Sequence, residues 1–109
     1  VADHAVARGV TYLNHTFTSH LALSASLQPY AGSADSWICE YPVELSSLAS
    51  GLAREPIALD SDGCIRAPAA PGLGVELDLD AVRPYLQDVE IVVGGRVLYR
   101  TPELVEGTS

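Results

Sequence analysis

The sequence predicts an α/β fold: short buried parallel strands alternate with helices, and a β-rich closing segment follows that ends in a hairpin. Three observations predict it. Over residues 1–56, helix-forming and β-branched stretches follow one another as helix, strand, helix, strand, helix. Polar side chains that can do chemistry fall at or near the C-terminal ends of both strands, where parallel architectures gather their loops on one face. From Ile57 onward the pattern changes to short alternating runs punctuated by turns.

Taken in order, Val1–Gly9 reads as the last turns of a helix closed by Gly9. Methionine occurs nowhere in the chain, so position 1 is expected to be a cut end. Val10–Asn14 is β-branched and aromatic, too short for a helix and apolar on both faces, which predicts a buried parallel strand. Phe17–Ala31 is rich in alanine and leucine and places Leu23, Leu27 and Tyr30 at helical spacing, with Thr16 or Thr18 as cap and Gly32 as stop. A polar loop, Gly32–Ser36, leads to a second strand, Trp37–Tyr41, terminated by Pro42. Leu45–Leu52 is a brief helix, stopped by Gly51 or by Pro56.

Ile57–Arg66 reads as strand, Asp-Ser-Asp-Gly turn and strand, and Ala67–Gly74 as a rigid proline-rich connection. Val75–Leu79 is extended, and Asp80 is placed to cap a short helix, Ala81–Leu86, that Pro84 interrupts. Val89–Val93 and Arg96–Arg100 flank Gly94–Gly95, the strongest hairpin signal present, because two glycines supply the positive φ values of a primed turn. The last nine residues are expected to be a loose tail. This divides the chain into residues 1–56 and a closing segment, 57–109.

Composition narrows the function. With 48% hydrophobic and 18% charged residues in 109, the chain is globular rather than disordered. Its basic residues are six arginines against fourteen acids, a net charge of −8 that repels phosphate backbones and anionic membranes. No nucleic-acid or membrane partner is expected. Cys39 and Cys64 form no C-x-x-C pair and no disulfide framework, no apolar run reaches membrane-spanning length, and no signal peptide is evident, so a cytoplasmic location is expected.

Several motifs dissolve on inspection. Asp60-Ser-Asp-Gly63 has its glycine fourth, whereas a calcium loop needs it sixth, so a turn is the better reading. Gly72-Leu-Gly74 lacks the third glycine and the helix of a nucleotide fingerprint. His15 and His20 are five apart, not the four that pairs zinc ligands on a helix face. Alternation turns Cys39 away from Glu40 and makes it a buried small residue rather than a nucleophile. His15 and Glu40 remain, each at or near the end of a strand. Adjacent parallel strands lie about 4.8 Å apart, so the two side chains can converge on one ligand.

The run Tyr12-Leu-Asn-His-Thr-Phe-Thr-Ser-His-Leu-Ala-Leu-Ser-Ala-Ser26 resembles the seventh barrel strand and following helix of enolase-superfamily enzymes of the mandelate racemase type. Trp37-Ile-Cys-Glu-Tyr-Pro42 resembles their eighth strand, and Asp62-Gly-Cys-Ile-Arg-Ala-Pro-Ala-Ala-Pro-Gly-Leu-Gly-Val-Glu76 their closing segment. The resemblance covers most of residues 1–86. It implies the C-terminal portion of a modified TIM barrel of the (β/α)7β type, with the terminal hairpin packing toward a capping domain.

It also implies chemistry on a small carboxylate substrate. The proton beside a carboxylate is weakly acidic, so its removal needs a base and stabilisation of the enediolate, which Mg²⁺ supplies. By the resemblance His15 is the histidine acid or base, normally oriented by an aspartate of the preceding strand. Glu40 is the carboxylic acid that donates a hydrogen bond to the substrate carboxylate. The Mg²⁺ ligands, a lysine on the opposite face and that aspartate belong to strands before Val1. The chain alone is therefore expected to be inactive, and its expected partners are the remainder of the polypeptide and further copies in a homo-oligomer. An acid-sugar dehydratase is the leading reaction and a 2-hydroxy-acid racemase or epimerase the alternative. A non-catalytic module that uses the hairpin edge for β-augmentation is the competing class.

Overall fold

The computed structural model describes residues 1–32 and 37–103. Their regular elements are α1 (Ala2–Val6), α2 (His20–Leu27) continued by a 3-10 turn at Gln28–Gly32, α3 (Ser47–Gly51), α4 (Leu79–Val82) continued by a 3-10 turn at Arg83–Tyr85, and the hairpin β1 (Glu90–Val93) and β2 (Arg96–Arg100). Most of the loop predicted at Gly32–Ser36 and most of the predicted tail lie outside the described residues.

Helix ends follow local chemistry. α1 closes as predicted: Gly9 adopts φ +67°, its N–H donates to the Val6 carbonyl at 2.9 Å, and the Val10 N–H donates to the Ala5 carbonyl at 3.0 Å. That pair of bonds is the Schellman closure, which a left-handed glycine permits. α2 starts later than predicted. Its cap is Ser19, in extended conformation with its hydroxyl accepting from the Ala22 N–H, not Thr16 or Thr18. Thr16 lies three residues before that cap, where its backbone N–H donates to the Glu40 carboxylate. α4 is likewise capped one turn-entry earlier than expected: extended Asp78 accepts from the N–H groups of Asp80 and Ala81, so Asp80 is already inside the helix. Pro84 has no N–H to continue an α-helical ladder, and the chain tightens into the 3-10 turn.

The predicted strands need correcting. Neither Val10–Asn14 nor Trp37–Tyr41 forms a backbone ladder; both are extended but irregular. At their contact the Asn14 side chain donates to the Glu40 carbonyl and accepts from the Glu40 N–H, taking both backbone groups of that residue. Nor are these segments buried throughout: Val10 is 58% and Trp37 83% exposed, because nothing among the described residues packs over them. Ile57–Arg66 likewise forms the turn without strands. Asp60 N–H donates to the Cys64 carbonyl at 2.8 Å, and the Asp60 carboxylate accepts from the Asp62 and Cys64 N–H groups, a self-contained turn that binds its own backbone.

The core centres on α2. Leu23, Leu27 and Ile57 are buried, and Tyr30, Cys39, Tyr41, Ile65, Ala67 and Val75 pack against them. Contacts cross the 56/57 division freely. Tyr41 Oη donates to the Ile57 carbonyl at 2.8 Å, Ser24 Oγ to the Leu73 carbonyl, and Ala53 bridges Leu77. The hairpin matches its prediction, with Gly94 at φ +57° and Gly95 at φ +77°. Its register slips between Ile91 and Val92, which pair with Tyr99 and Val97 and leave Leu98 bulged.

Candidate functional site

The site forms where the extended segment before α2 meets the one at 37–41. His15 Nδ1 lies 3.2 Å from Glu40 Oε2, and the same oxygen accepts the Thr16 backbone N–H at 3.2 Å. The two residues singled out by sequence are thus in direct contact. The His15 side chain is 80% exposed and the Glu40 side chain 28%, so the pair is open to a ligand on the histidine side and supported on the carboxylate side. The Phe17 ring stands edge-on to the imidazole, with centroids 4.7 Å apart and planes at 87°. Among the described residues no hydrogen bond engages His15 Nε2, so one ring nitrogen contacts the Glu40 carboxylate and the other is unengaged.

Beneath the pair lies a buried polar layer that sequence reasoning missed. Asn14 is 2% exposed and bonds to Ser26, Tyr30 and Glu40. Burial pushes the Tyr30 phenol above its ordinary value of 10.0. Thr16 is also buried, and its Oγ1 has no hydrogen-bond partner among the described residues. The available signal was Asn14 itself. Asparagine is depleted in strands, and a polar side chain closing an apolar run must find partners if it is buried.

His20 plays no part in the pair. Its Nδ1 accepts the Ile57 N–H at 3.2 Å and its ring meets Tyr41 edge-on, so it is a packed, neutral core histidine whose pKa burial lowers. Cys39 is half-buried against the core, less covered than expected because no strand forms there, and burial pushes its thiol pKa up. A groove of about 610 Å³ is lined by Leu27, Tyr30, Trp37, Cys39, Tyr41 and Arg66 among others and includes neither His15 nor Glu40. A tight metal site does not fit the residues present: among those described, no group of three or more His, Cys, Asp or Glu side chains could hold an ion. No helix among them is long and apolar enough to cross a membrane.

Two irregular segments, one of them leading into α2, thus gather a histidine and a carboxylate at one edge. Residues 1–82 match the family described as enolase C-terminal domain-like, and the chain belongs to that family, within the mandelate-racemase-like branch of the enolase superfamily. Among solved structures it is similar to the crystal structure of a predicted mandelate racemase from Rhodobacter sphaeroides, with a TM-score of 0.85 and 57% sequence identity. That match covers 94% of this chain and 26% of the other, so the chain spans about a quarter of that protein's length. No functionally curated protein matches it.

Proposed function

We propose that this chain is the part of a Mg²⁺-dependent enzyme, acting on a carboxylate substrate through loss of its α-proton, that contributes His15 and Glu40. The observation that carries the reading is their 3.2 Å contact at one open edge. In an acid-sugar dehydratase, a base elsewhere in the protein takes the α-proton. His15 gives a proton from its free ring nitrogen to the departing β-hydroxyl, which leaves as water, and the resulting enol tautomerises to a 2-keto acid. Glu40, in its protonated form, donates to the substrate carboxylate as negative charge builds there. Because the residues present do not make a metal site, the Mg²⁺ ligands are proposed to come from the rest of the barrel.

In this reading residues 10–14 and 37–41 take the places of the seventh and eighth barrel strands. The exposure of Val10, Leu13, Phe17, Trp37 and Ile38 supports a cover supplied by the remainder of the polypeptide. A second reading, a racemase of a 2-hydroxy acid, is favoured by the similarity to a predicted mandelate racemase, and uses His15 on one face of the substrate carbon.

One experiment separates the readings. The full-length protein is incubated with Mg²⁺ and a panel of acid sugars and mandelate in D₂O. A 2-keto product supports dehydration, and deuterium incorporation with inversion supports racemisation. His15→Asn should lower turnover by about 10²- to 10⁴-fold, the usual range for a positioned acid or base. Full turnover in that variant removes His15 from the mechanism.

A further inference from the structure

Asn14 precedes His15 in the chain, and the reading above gives it no task. A carboxamide has two N–H donors and two oxygen lone pairs. All four are used here. Nδ2 donates to Ser26 Oγ at 3.0 Å and to the Glu40 carbonyl at 3.1 Å, while Oδ1 accepts from the Glu40 N–H at 2.7 Å and from Tyr30 Oη at 3.2 Å. Turning the amide over would set acceptor against acceptor at the Glu40 carbonyl and donor against donor at the Glu40 N–H, while the Ser26 and Tyr30 hydroxyls could adapt, so the Glu40 backbone fixes its orientation.

The geometry of the Glu40 contacts is specific. Both backbone groups of that residue are held by one side chain, which stands in for the peptide group of a neighbouring strand where no ladder forms. Asn14 is itself pinned, since its backbone N–H donates to Tyr30 Oη at 2.7 Å. Burial keeps that phenol protonated and able to donate in turn to Oδ1. His15 therefore hangs between two anchors, Asn14 on one side and Thr16, whose N–H holds Glu40 Oε2, on the other.

We infer that Asn14 is a positioning residue for the His15–Glu40 pair: its carboxamide fixes the register of the two extended segments and so the distance between imidazole and carboxylate. The link to catalysis rests on the function proposed above; the positioning itself does not. A misplacement of about 1 Å at a reacting group can cost on the order of 10²-fold.

The test is made on the full-length protein carrying ¹⁵N-histidine, with the His15 ring signals assigned by their loss in His15→Asn and the uncoupled position defined by Glu40→Ala, which removes the acceptor. Asn14→Ala should move the His15 Nδ1 signal to the Glu40→Ala position and leave His20 in place. Leu27→Ala, which weakens the same core outside this network, should lower Tm without moving His15. Should Asn14→Ala fail to fold, Asn14→Asp decides by the same readout, because it keeps the size and the acceptor but cannot donate to the Glu40 carbonyl. An Asn14 variant that melts earlier with the His15 signal unmoved overturns the inference and leaves Asn14 a structural residue. With a turned-over substrate, kcat should fall about 10- to 100-fold while KM stays within about twofold. A displaced His15 signal with unchanged kcat upholds the positioning and overturns the catalytic role proposed for the pair.

Discussion

Helix α2 and the terminal hairpin are both short regular elements, and they are held by opposite means. α2 has eight residues, of which His20, Leu23, Ser24 and Leu27 are buried, and its order depends on partners as distant in sequence as Ile57 and Leu73. Every residue of β1 and β2 is exposed. The hairpin is held by its own backbone ladder, a two-glycine turn and a cross-strand ion pair between Glu90 and Arg100. One region is made by tertiary contact and the other by local chemistry, so equal chemical changes in the two should have unequal consequences.

The largest difference is expected from trimming one leucine in each. Leu23 is fully buried, and Leu23→Ala removes transfer free energy and leaves a cavity, about 2–5 kcal/mol. Leu98 is 59% exposed and bulged out of register, so Leu98→Ala should stay within about 0.5 kcal/mol. Urea unfolding of the protein and its variants measures both. Similar losses would break the distinction, and a large loss at Leu98 would mean that the hairpin is buried against another part of the polypeptide or another chain.

That contrast also explains what was legible in the sequence. The hairpin and its turn were readable because Gly94–Gly95 supplies the positive φ values of a primed turn, whereas the bulge at Leu98 was not. Gly9 was readable for the same reason. The buried face of α2 was readable from the spacing of Leu23 and Leu27, but its start was not, because Thr16, Thr18 and Ser19 are all residue types that cap and nothing local selects Ser19. At the site, His15 and Glu40 could be named from position and resemblance. Asn14 could not, because nothing local says that the side chain ending one apolar run will replace the backbone pairing of another, 26 residues away.

A smaller effect separates the regions by pH. Burial lowers the His20 pKa from its ordinary 6.5, so between the two values the unfolded chain binds the proton that the folded chain refuses. Stability from this group is fully present above about pH 6.5 and is lost as pH falls through that value toward the lowered one. His20→Gln, which keeps an acceptor for the Ile57 N–H, should flatten the acid limb of a Tm-against-pH curve, and His15→Asn should leave the His20 part of it unchanged. Amide exchange in α2 should quicken on that limb. If hairpin amides quicken with it, the two regions open as one unit.

The smallest effect belongs to the one ion pair of the hairpin. Arg100 Nε donates to Glu90 Oε2 at 2.8 Å, across directly paired residues, but the side chains are 71% and 42% exposed. Water screens such a pair, and ordering two long side chains costs entropy, so Glu90→Gln should change stability by no more than about 0–1 kcal/mol. Glutamine still offers an oxygen to the guanidinium, and what is lost is the charge. The difference between Glu90 and its glutamine variant should therefore vanish in about 1 M salt, where the screening length falls to about 3 Å. Hydrogen exchange of the Arg100 and Thr101 amides reads this locally, because the Thr101 N–H closes onto the Val89 carbonyl at 2.9 Å just beyond the pair. A loss well above 1 kcal/mol that resists salt would require the pair to be shielded from water. The hairpin would then be a buried element like α2, its local pairing completed by a surface that covers it.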